Sequence, residues 1–580
     1  MRRLLAAAAA LLLLPALTAA AKPGTAGSGT AAAKPGTEAA GKPGPAGGNP
    51  ISASFADTFA DPVIVRGDDG LYYAYGTTDP LREGEHTPHR IPMARSADLK
   101  RWTYVGDAFG ADARPPYAAS NAAFWAPDVR KIGNRWVMYV TVTETTVAEG
   151  ASAIGVATAP KPTGPWTFAP EPAVPPRAAP GGGWWWTFDP AQLTTPDGRK
   201  YLYYGSYFGG IWVSELTADG LRITGTPTQV AIDNKFEGAY VVRRDGWYYL
   251  FASSANCCAG PTTGYSVSVG RSRSPLGPFT DRDGLRLDVS RAGGTPVIAP
   301  NGNRWVGTGH NGLVTDRRGQ DWFVYHAIDR ADPYLDEPFG INERPMLLDR
   351  LDWIGGWPTV NRGAWASDGP SGTAVTPAPG RVLYSNEFNS LGAGWDFVRP
   401  DPAVTTTGGA LRWPVQGADL TGTSNSAGVL LRDPPAGSWI AETKLTLPLG
   451  EDTVRNYQQA GLIAYSSDDL FARLSAVAIW NTRQVEFGKE MPYAGALSYG
   501  GTIAGTPGLE TTWLRLAHRV DRTNGEHEYR AGVSRDGKHW TWGGVWTLPA
   551  DSTPRIGLIA HGGAEPPVTA SFDYLRFYRW

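Results

Sequence analysis

Three acidic side chains occupy the same position of a repeated sequence pattern. Five segments share a strand, a glycine turn and an aromatic-rich second strand, and they begin at Asp61, Phe124, Asp189, Glu237 and His310. Burying carboxylates is costly, so acids that converge from distant segments normally have a partner or a function. Glycosidic cleavage needs two carboxyl groups in opposite protonation states, one donating a proton and the other activating water or attacking. Hydrogen bonding within the inner hairpins is the structural alternative.

The same five segments predict the architecture. A glycine stands nine positions and an aromatic residue twelve positions after each start, which is typical of a β-hairpin. These residues are Gly70, Gly133, Gly198, Gly246 and Gly319, with Tyr73, Trp136, Tyr201, Tyr249 and Trp322. The starts lie 63, 65, 48 and 73 residues apart, enough for a four-stranded sheet with its loops. The pattern therefore predicts an all-β fold with a five-bladed β-propeller, and the five starts would form a ring around its axis.

The three acids of this ring would also control each other's protonation. An isolated Glu has a pKa of about 4.3 and is ionised at neutral pH, whereas a negative neighbour raises the pKa of a carboxyl group. Asp61, Asp189 and Glu237 supply this arrangement, but the register alone does not assign the acid. Asp128 lies four positions beyond Phe124, where the other segments carry apolar residues. We interpret it as a substrate-binding or network residue, with a structural hydrogen-bond acceptor as the alternative.

The composition favours an exported protein without nucleic-acid or membrane partners. Lys and Arg number 53 against 55 Asp and Glu, a balance that gives no electrostatic basis for binding nucleic acid or an anionic membrane. A basic start, an apolar stretch and an alanine-rich end make residues 1–21 a predicted signal peptide. Residues 22–50 are rich in Ala, Gly, Pro, Thr and Lys, and we predict a disordered tether.

A second domain follows the predicted propeller. The propeller is expected over residues 51–366, and a Pro/Gly/Ser-rich linker over 367–381. From 382 to 580, short runs alternate between apolar and polar residues, as in "AETKLTL" from Ala441. This pattern predicts a β-sandwich. Its function, polysaccharide binding or closure of the active-site mouth, stays open.

The chain has two cysteines, Cys257 and Cys258, and they are adjacent. Export to an oxidising compartment favours a vicinal disulfide that stiffens a loop. Two free thiols are the alternative, because neighbouring Cα atoms lie only about 3.8 Å apart.

Strings throughout the predicted propeller resemble glycoside hydrolase family 43, and within it the arabinan-degrading members. They include "FADPVIVRGDDGLYYAYGT", "WAPDV", "FDPAQLTTPDGRKYLYYGSYFGGI", "KFEGAYVVRRDGWYYLFASSANCCAG", "GTGHNGLVTD" and "GGWPTV", in order between about Phe55 and Asn361. The end of the chain resembles a concanavalin-type jelly roll. The "EGAY" string and the run Trp184-Trp185-Trp186 depart from the usual family pattern.

The resemblance implies a role for each acid. Asp61 would be the general base that activates water, Glu237 the general acid, and Asp189 the residue that raises the pKa of Glu237. The family inverts the anomeric configuration, which implies a separation of about 6.5–9.5 Å between base and acid.

The resemblance also implies residues around the acids. His310 in "GHN" matches a position near a central calcium ion or water, and both metal ligation and a hydrogen bond without metal stay open. Arg344 resembles a substrate-facing arginine, with a surface ion pair as the alternative. Phe124, Trp125 and Trp186 are expected to bind substrate, although Trp186 could instead fill a gap between blades.

The expected activity is therefore hydrolysis of α-L-arabinofuranosyl linkages in a polysaccharide by a secreted monomer. β-D-Xylosidase, β-D-galactofuranosidase and galactan hydrolase activity are alternatives within the family, because loops outside the motifs select the substrate. Retaining fructan hydrolases would need an "NDPNG"-like start, where this chain has "ADPVIV". A non-catalytic carbohydrate-binding propeller is the alternative outside enzymes.

Overall fold

The computed structural model describes residues 48–336, 340–368, 375–563 and 566–580. The predicted signal peptide and nearly all of the predicted tether lie outside the described residues. Two short 3-10 turns, Gly260–Thr262 and Asn361–Gly363, interrupt what is otherwise β-structure. None of the described helical segments has the length and hydrophobicity needed to span a membrane.

Residues 63–360 form five four-stranded antiparallel sheets, and the chain runs through each sheet in sequence order. Blade 1 consists of β1 (Val63–Arg66), β2 (Tyr72–Tyr75), β3 (Pro92–Ser96) and β4 (Thr103–Asp107). Blade 2 consists of β5 (Phe124–Ile132), β6 (Arg135–Val142), β7 (Ala153–Ala159) and β8 (Thr167–Phe168), followed by the small hairpin of β9 (Arg177–Ala178) and β10 (Trp184–Trp185). Blade 3 consists of β11 (Ala191–Thr194), β12 (Lys200–Tyr204), β13 (Ile211–Leu216) and β14 (Ile223–Ala231). Blade 4 consists of β15 (Phe236–Arg244), β16 (Trp247–Ser254), β17 (Ser266–Ser272) and β18 (Thr295–Ile298). Blade 5 consists of β19 (Trp305–Thr315), β20 (Asp321–Asp329), β21 (Met346–Ile354) and β22 (Trp357–Val360).

The five blades close into a ring. The first strand of each blade contacts the first strands of both neighbours, and β19 of the last blade contacts β1 of the first. The segment before β1 reinforces the closure, because Ile51 N–H bonds to Met346 O and Asn49 Oδ1 accepts the Leu348 N–H. The predicted five-bladed propeller is confirmed. Asn49 is buried and its side chain bonds to Asp349, so the folded part starts before the predicted end of the tether.

The turn glycines are where the repeat predicted them, and all five have positive φ angles between 64° and 83°. The turns differ in length, however. Ile132 pairs with Arg135 and Arg244 with Trp247, which leaves two residues in the turns of blades 2 and 4. Arg66 pairs with Tyr72 in blade 1, which leaves five. Counting a fixed number of residues back from the glycine therefore misaligns blades 2 and 4.

A backbone kink marks the true equivalent position in each blade. One residue at the inner end of each first strand has a left-handed φ between 44° and 58°, a conformation that side chains other than glycine rarely adopt. The five kink residues are Asp61, Ala126, Asp189, Gly238 and His310. The predicted ring is thus wrong at two places, since Ala126 and Gly238 replace Phe124 and Glu237. Glu237 still directly precedes the kink residue of blade 4, whereas Phe124 lies two residues before the kink residue of blade 2.

Each kink N–H donates to a side chain of the preceding blade, and the five bonds form a closed circle, which we call the kink ring. Its bonds are Ala126 N–H to Thr77 Oγ1 (3.0 Å), Asp189 N–H to Thr141 Oγ1 (3.0 Å), Gly238 N–H to Asp189 Oδ2 (2.9 Å), His310 N–H to Ser253 Oγ (3.0 Å) and Asp61 N–H to His326 Nδ1 (3.2 Å). A buried N–H without an acceptor costs about 1–3 kcal/mol. The kink ring therefore stabilises the conformation that presents the central side chains.

The second part of the chain is a β-sandwich. In chain order its strands are β23 (Val382–Asn386), β24 (Asp396–Val398), β25 (Thr405–Thr406), β26 (Leu411–Pro414), β27 (Leu420–Thr421), β28 (Ser424–Asn425), β29 (Val429–Arg432), β30 (Trp439–Thr446), β31 (Gln459–Ser467), β32 (Leu470–Ile479), β33 (Thr482–Tyr493), β34 (Ala496–Gly505), β35 (Thr511–Val520), β36 (His527–Ser534), β37 (Thr541–Leu548), β38 (Arg555–His561) and β39 (Thr569–Arg579). One sheet has the order β25-β26-β39-β30-β35-β36-β37, with β23 also on β39, and the other has the order β24-β29-β38-β31-β32-β33-β34. Alternate side chains of both sheets share one apolar core, as the alternating sequence predicted.

The sandwich packs directly on the propeller. Val306 and Ile328 of blade 5 belong to the same buried cluster as the sandwich core. Asn301 forms a backbone bridge with Val545, and Arg330 forms an ion pair with Glu526 at 2.6 Å. Apolar, backbone and ionic contacts thus hold the two parts together.

Candidate active site

Asp61 lies at the start of blade 1, among cationic and hydrogen-donating groups. Its Oδ1 is 3.4 Å from His310 Nδ1, 3.3 Å from His326 Nδ1 and 3.6 Å from Arg344 Nη1. Thr77 Oγ1 donates to its Oδ2. Burial raises the pKa of Asp61, but the charges of His310 and Arg344 outweigh burial and hold the pKa well below its usual range. Asp61 is therefore a carboxylate at neutral pH.

Arg344 links Asp61 to a further acid. Its Nη2 donates to Asp79 Oδ2 at 3.2 Å, while Nη1 faces Asp61. Burial raises the pKa of Asp79 to about 6, against the lowering effect of the Arg344 charge. The guanidinium is thus held between two acids of blade 1, where a planar cation with several donors fits well.

Glu237 and Asp189 form the second acidic group. Ser206 Oγ donates to Glu237 Oε2 at 3.1 Å and lies close enough to Asp189 to lower its pKa as well. The Tyr265 hydroxyl also lies close to Glu237 and lowers its pKa. Gly238 N–H donates to Asp189 Oδ2. The structure thus gathers the three predicted acids, with Asp61 close enough to Asp189 for its charge to act there.

The environment of this second group favours a bound proton. Burial raises the pKa of Glu237, and the negative charge of Asp189 raises it further. Burial and the charge of Asp61 likewise raise the pKa of Asp189. Hydrogen bonds from Ser206 to Glu237 and from the Gly238 N–H to Asp189 stabilise the charged forms, but burial and mutual repulsion still raise the pKa of both carboxyl groups. Asp61 and the Glu237–Asp189 pair therefore have opposite electrostatic settings, and the pair holds a proton more readily than Asp61 does.

His310 and His326 both face Asp61, but they differ in setting. His326 is fully buried, stacks on the Tyr265 ring, and has a pKa lowered by burial to about 4. It is therefore neutral, with Nδ1 accepting the Asp61 N–H. The described residues contain no group of three or more His, Cys, Asp or Glu side chains with the geometry to hold a metal ion. Calcium prefers oxygen ligands, so His310 would hold it only with water completing the shell.

Phe124 does not belong to the site. Its side chain is 0% exposed and packs against Phe109 and Phe168 at 5.6 Å and 5.1 Å between ring centroids. Neighbouring side chains of a strand point to opposite faces, so only Trp125 of the pair reaches the surface, with 39% exposure. The substrate-binding role predicted for Phe124 is therefore wrong.

Trp125 and Trp186 meet across Phe188. The Trp125 ring lies 5.9 Å from Phe188, and Trp186 stacks on the other side at 5.1 Å. Phe188 directly precedes Asp189, so this group borders the carboxylates. The three rings form a half-exposed apolar surface next to a charged centre.

Asp128 is engaged between blades 2 and 3. It is buried, its Oδ2 accepts the Gln192 N–H at 2.7 Å, and its Oδ1 lies 3.0 Å from Arg130 Nη2. Both contacts are within the protein, and the bond to Gln192 joins the first strands of adjacent blades. They fit the alternative that Asp128 is a structural hydrogen-bond acceptor. Cys257 and Cys258 are bonded to each other in the loop after β16.

Sequence reasoning missed several residues of the site. Thr77 and Ser206 follow the second strands of their blades, and His326 lies within β20. They stand two or three positions beyond Tyr75, Tyr203 and Val324, which pair with the first strand just outside each kink. A search of these positions for hydrogen-bonding side chains would have found them. Tyr265 and Asp79 have no such repeated signal.

Fold and site together define a β-propeller with a central set of carboxyl groups in two opposite electrostatic settings. Residues 48–358, more than half of the chain, match the family model of Glycosyl hydrolases family 43. The chain belongs to this family, as the motifs predicted.

Two characterised relatives share this region. The chain is 29% identical over 322 residues to the extracellular exo-alpha-(1->5)-L-arabinofuranosidase ArbA of Cellvibrio japonicus, covering 52% of this chain and 86% of the relative. It is 31% identical over 310 residues to arabinan endo-1,5-alpha-L-arabinosidase C of Emericella nidulans, covering 51% and 89%. A solved Cellvibrio cellulosa alpha-L-arabinanase in complex with arabinohexaose is 27% identical, with a TM-score of 0.44 over 52% of this chain and 95% of that chain.

The Thr77 hydroxyl gives a first prediction. Thr77→Val removes the donor to Asp61 Oδ2, and a carboxylate that loses a hydrogen bond has a higher pKa. The acid limb of the pH–rate profile should therefore move to higher pH by about one unit. The profile is measured as kcat/KM on a glycoside that the enzyme hydrolyses. Thr77→Ser keeps the hydroxyl and should keep the wild-type profile. An unmoved acid limb in Thr77→Val, with only a lower melting temperature, would assign Thr77 a purely structural role.

Proposed function

We propose that the protein is an inverting glycoside hydrolase that cleaves α-L-arabinofuranosyl linkages in arabinan or in arabinose-containing polysaccharide. One observation carries the proposal, which is the opposite electrostatic setting of two gathered acids. Asp61 lies against His310, His326 and Arg344 and its pKa is lowered, whereas Glu237 is buried beside Asp189 and its pKa is raised. In our proposal Asp61 is therefore ionised and Glu237 holds the proton. Glycosidic cleavage needs this combination.

Asp61 acts as the general base. Its carboxylate takes a proton from a water molecule that attacks the anomeric carbon of the sugar. Thr77, His326 and the Asp61 kink fix the direction of the carboxylate, so the water is held for in-line attack. Because water is the nucleophile, a single displacement inverts the anomeric configuration.

Glu237 acts as the general acid on the opposite side of the sugar. It donates its proton to the glycosidic oxygen as the bond to the leaving group breaks. Asp189 makes this possible, since its charge raises the pKa of Glu237 while the Gly238 N–H keeps Asp189 ionised. Ser206 and Tyr265 orient the acid.

The substrate class is inferred from the relatives and from the surroundings of the acids. The two relatives named above carry names that refer to α-1,5-linked arabinose polymers. The aromatic surface of Trp125, Phe188 and Trp186 beside the acids suits a sugar, because flat rings stack on the C–H faces of a furanose. We also propose secretion, which the predicted signal peptide and the extracellular relatives support, and action as a monomer.

A substrate panel tests the activity. Wild-type protein should release arabinose or arabino-oligosaccharides from arabinan, and proton NMR should show the inverted anomer first. Asp61→Asn and Glu237→Gln should each lower the rate about 10²–10⁴-fold, because each removes a proton-transfer group. Near-wild-type rates in either variant would contradict the role given to that residue. If the protein hydrolyses only xylosides or only galactofuranosides, its activity is that of a xylosidase or a galactofuranosidase. If it hydrolyses none of these substrates, a carbohydrate-binding propeller is favoured.

Asp189 has a distinct signature in the pH profile. Asp189→Asn removes the charge that raises the Glu237 pKa, so Glu237 should lose its proton at lower pH. The basic limb of kcat/KM should then move toward lower pH by about one unit or more, while Asp61 keeps the acid limb in place. Asp189→Glu, which keeps the charge, serves as the control. A basic limb that stays fixed in Asp189→Asn would exclude pKa control by this residue.

Calcium, which the resemblance implies, has no part in these proton transfers in our proposal. His310 would be its one protein ligand, and water would complete the shell. Treatment with EDTA should therefore leave the rate and the pH profile unchanged within assay error, as measured on the same glycoside before and after adding calcium back. If EDTA abolishes hydrolysis and added calcium restores it, the proposal that calcium takes no part is wrong.

A further inference from the structure

A line of aromatic side chains leads outward from the carboxylates. Beyond Trp125, Phe188 and Trp186, the Phe208 ring meets Trp186 edge-on at 4.6 Å, and Tyr207 follows at 5.7 Å from Phe208. We call these five residues the aromatic strip. Burial raises the pKa of Tyr207, and the charges of Glu237 and of Glu486 in the sandwich raise it further. Tyr207 therefore lies within reach of the charges of both Glu237 and the sandwich residue Glu486.

The sandwich places two more aromatic side chains beyond the end of the strip. Trp480 and Tyr457 are 40% and 39% exposed, and their ring centroids are 6.2 Å apart. Trp480 lies in the turn between β32 and β33, and Tyr457 lies just before β31. Neither ring belongs to the core of the sandwich. Packing in that core therefore does not explain why two large aromatic side chains stand at this surface.

Hydrogen bonds fix Trp480 beside the strip. The next residue, Asn481, donates from Nδ2 to Asp233 Oδ1 at 2.7 Å and accepts the Asn234 Nδ2–H at 2.8 Å. Asn234 in turn donates its backbone N–H to Tyr207 O at 2.7 Å. Asp233 and Asn234 of the propeller thus connect the Trp480 turn to Tyr207, the last residue of the strip, and Asn234 stands three positions before Glu237.

The backbone holds both rings in an uncommon conformation. Tyr457 and Trp480 have left-handed φ angles of 65° and 49°, which bulky residues adopt only when surrounding contacts enforce it. Those contacts are the Tyr457 N–H to Ala478 O at 2.7 Å and the Trp480 N–H to Asn456 Oδ1 at 2.6 Å. Strain of this kind is concentrated at binding and catalytic sites.

We propose that Trp480 and Tyr457 form a sugar-binding platform that takes pentose units of a substrate chain extending from the carboxylates along the aromatic strip. The inference rests on the proposed function, because it assumes that a carbohydrate chain occupies the strip. The platform offers flat faces for C–H stacking, and the side chains of Asn456, Asn481 and Glu486 around it offer hydrogen bonds to hydroxyl groups. The sandwich therefore extends the binding site of the propeller.

A sugar fits this surface better than a protein partner does. A stable protein interface buries about 1,200–2,000 Å² with an apolar centre, whereas here two rings stand among polar side chains. The platform also continues a line of rings that starts at the carboxylates, and a linear polymer bound at the carboxylates would follow that line.

Calorimetry on the inactive Glu237→Gln parent tests the platform. Arabinohexaose and xylohexaose are titrated, with the matching disaccharides as ligands too short to reach the sandwich. Adding Trp480→Ala should weaken binding of the hexasaccharide about 3- to 10-fold, a typical effect of losing one aromatic contact, and the disaccharide should bind as before. Tyr457→Ala should act in the same direction, and Trp480→Phe should retain most of the affinity. The matched control is Trp542→Ala, a half-exposed tryptophan of β37 that stacks on Trp540, and it should change nothing.

Every other outcome counts against the platform. Equal losses for both chain lengths, no loss in Trp480→Ala, an equal loss in Trp542→Ala, or a parent that binds none of the oligosaccharides would overturn it. Failure of the proposed function looks different, since wild-type protein would then release no sugar while the parent still binds the hexasaccharide through Trp480. Melting temperatures of all variants exclude loss of the fold as the cause.

Discussion

Five hydrogen bonds from strained backbone N–H groups to side chains of the preceding blade hold the centre of the propeller. Each kink needs an acceptor from its neighbour, so no blade can form its inner end alone. His326 closes the circle by accepting the Asp61 N–H of the first blade. Asp189 belongs to this ring twice, because its own N–H donates to Thr141 while its carboxylate accepts the Gly238 N–H. The bonds that hold the fold therefore also orient the acids.

The same arrangement separates the acids electrostatically. Blade 5 brings His310, Arg344 and the neutral His326 to Asp61 of blade 1, whereas blades 3 and 4 bring the buried Asp189 and Glu237 together. The pKa values of two chemically similar groups are thus shifted in opposite directions by their neighbours. The difference arises from assembly of the ring, since each of these neighbours comes from a different part of the chain.

Errors in the sequence-based prediction have a physical origin. Counting from the turn glycine assumed hairpins of equal length, but blades 2 and 4 turn with two residues where blades 1, 3 and 5 use five. Phe124 was therefore placed in the ring although it lies in the core between blades, and Ala126 holds its position. The sequence leaves Asp128 as a substrate-binding or network residue or a structural acceptor, and its depth on the strand directs it to Gln192 of the next blade.

The amino-acid sequence by itself determined the β-hairpin repeat, the number of blades, the family and the identity of the three acids. These features depend on local patterns, namely turn glycines, strand alternation and motif strings, which are visible in one segment at a time. Only the tertiary structure decided which side chains meet, in which direction the pKa of each acid moves and where the sandwich adjoins the aromatic strip. Burial, charge and hydrogen bonding at those points come from residues far apart in the chain, and no local pattern encodes them.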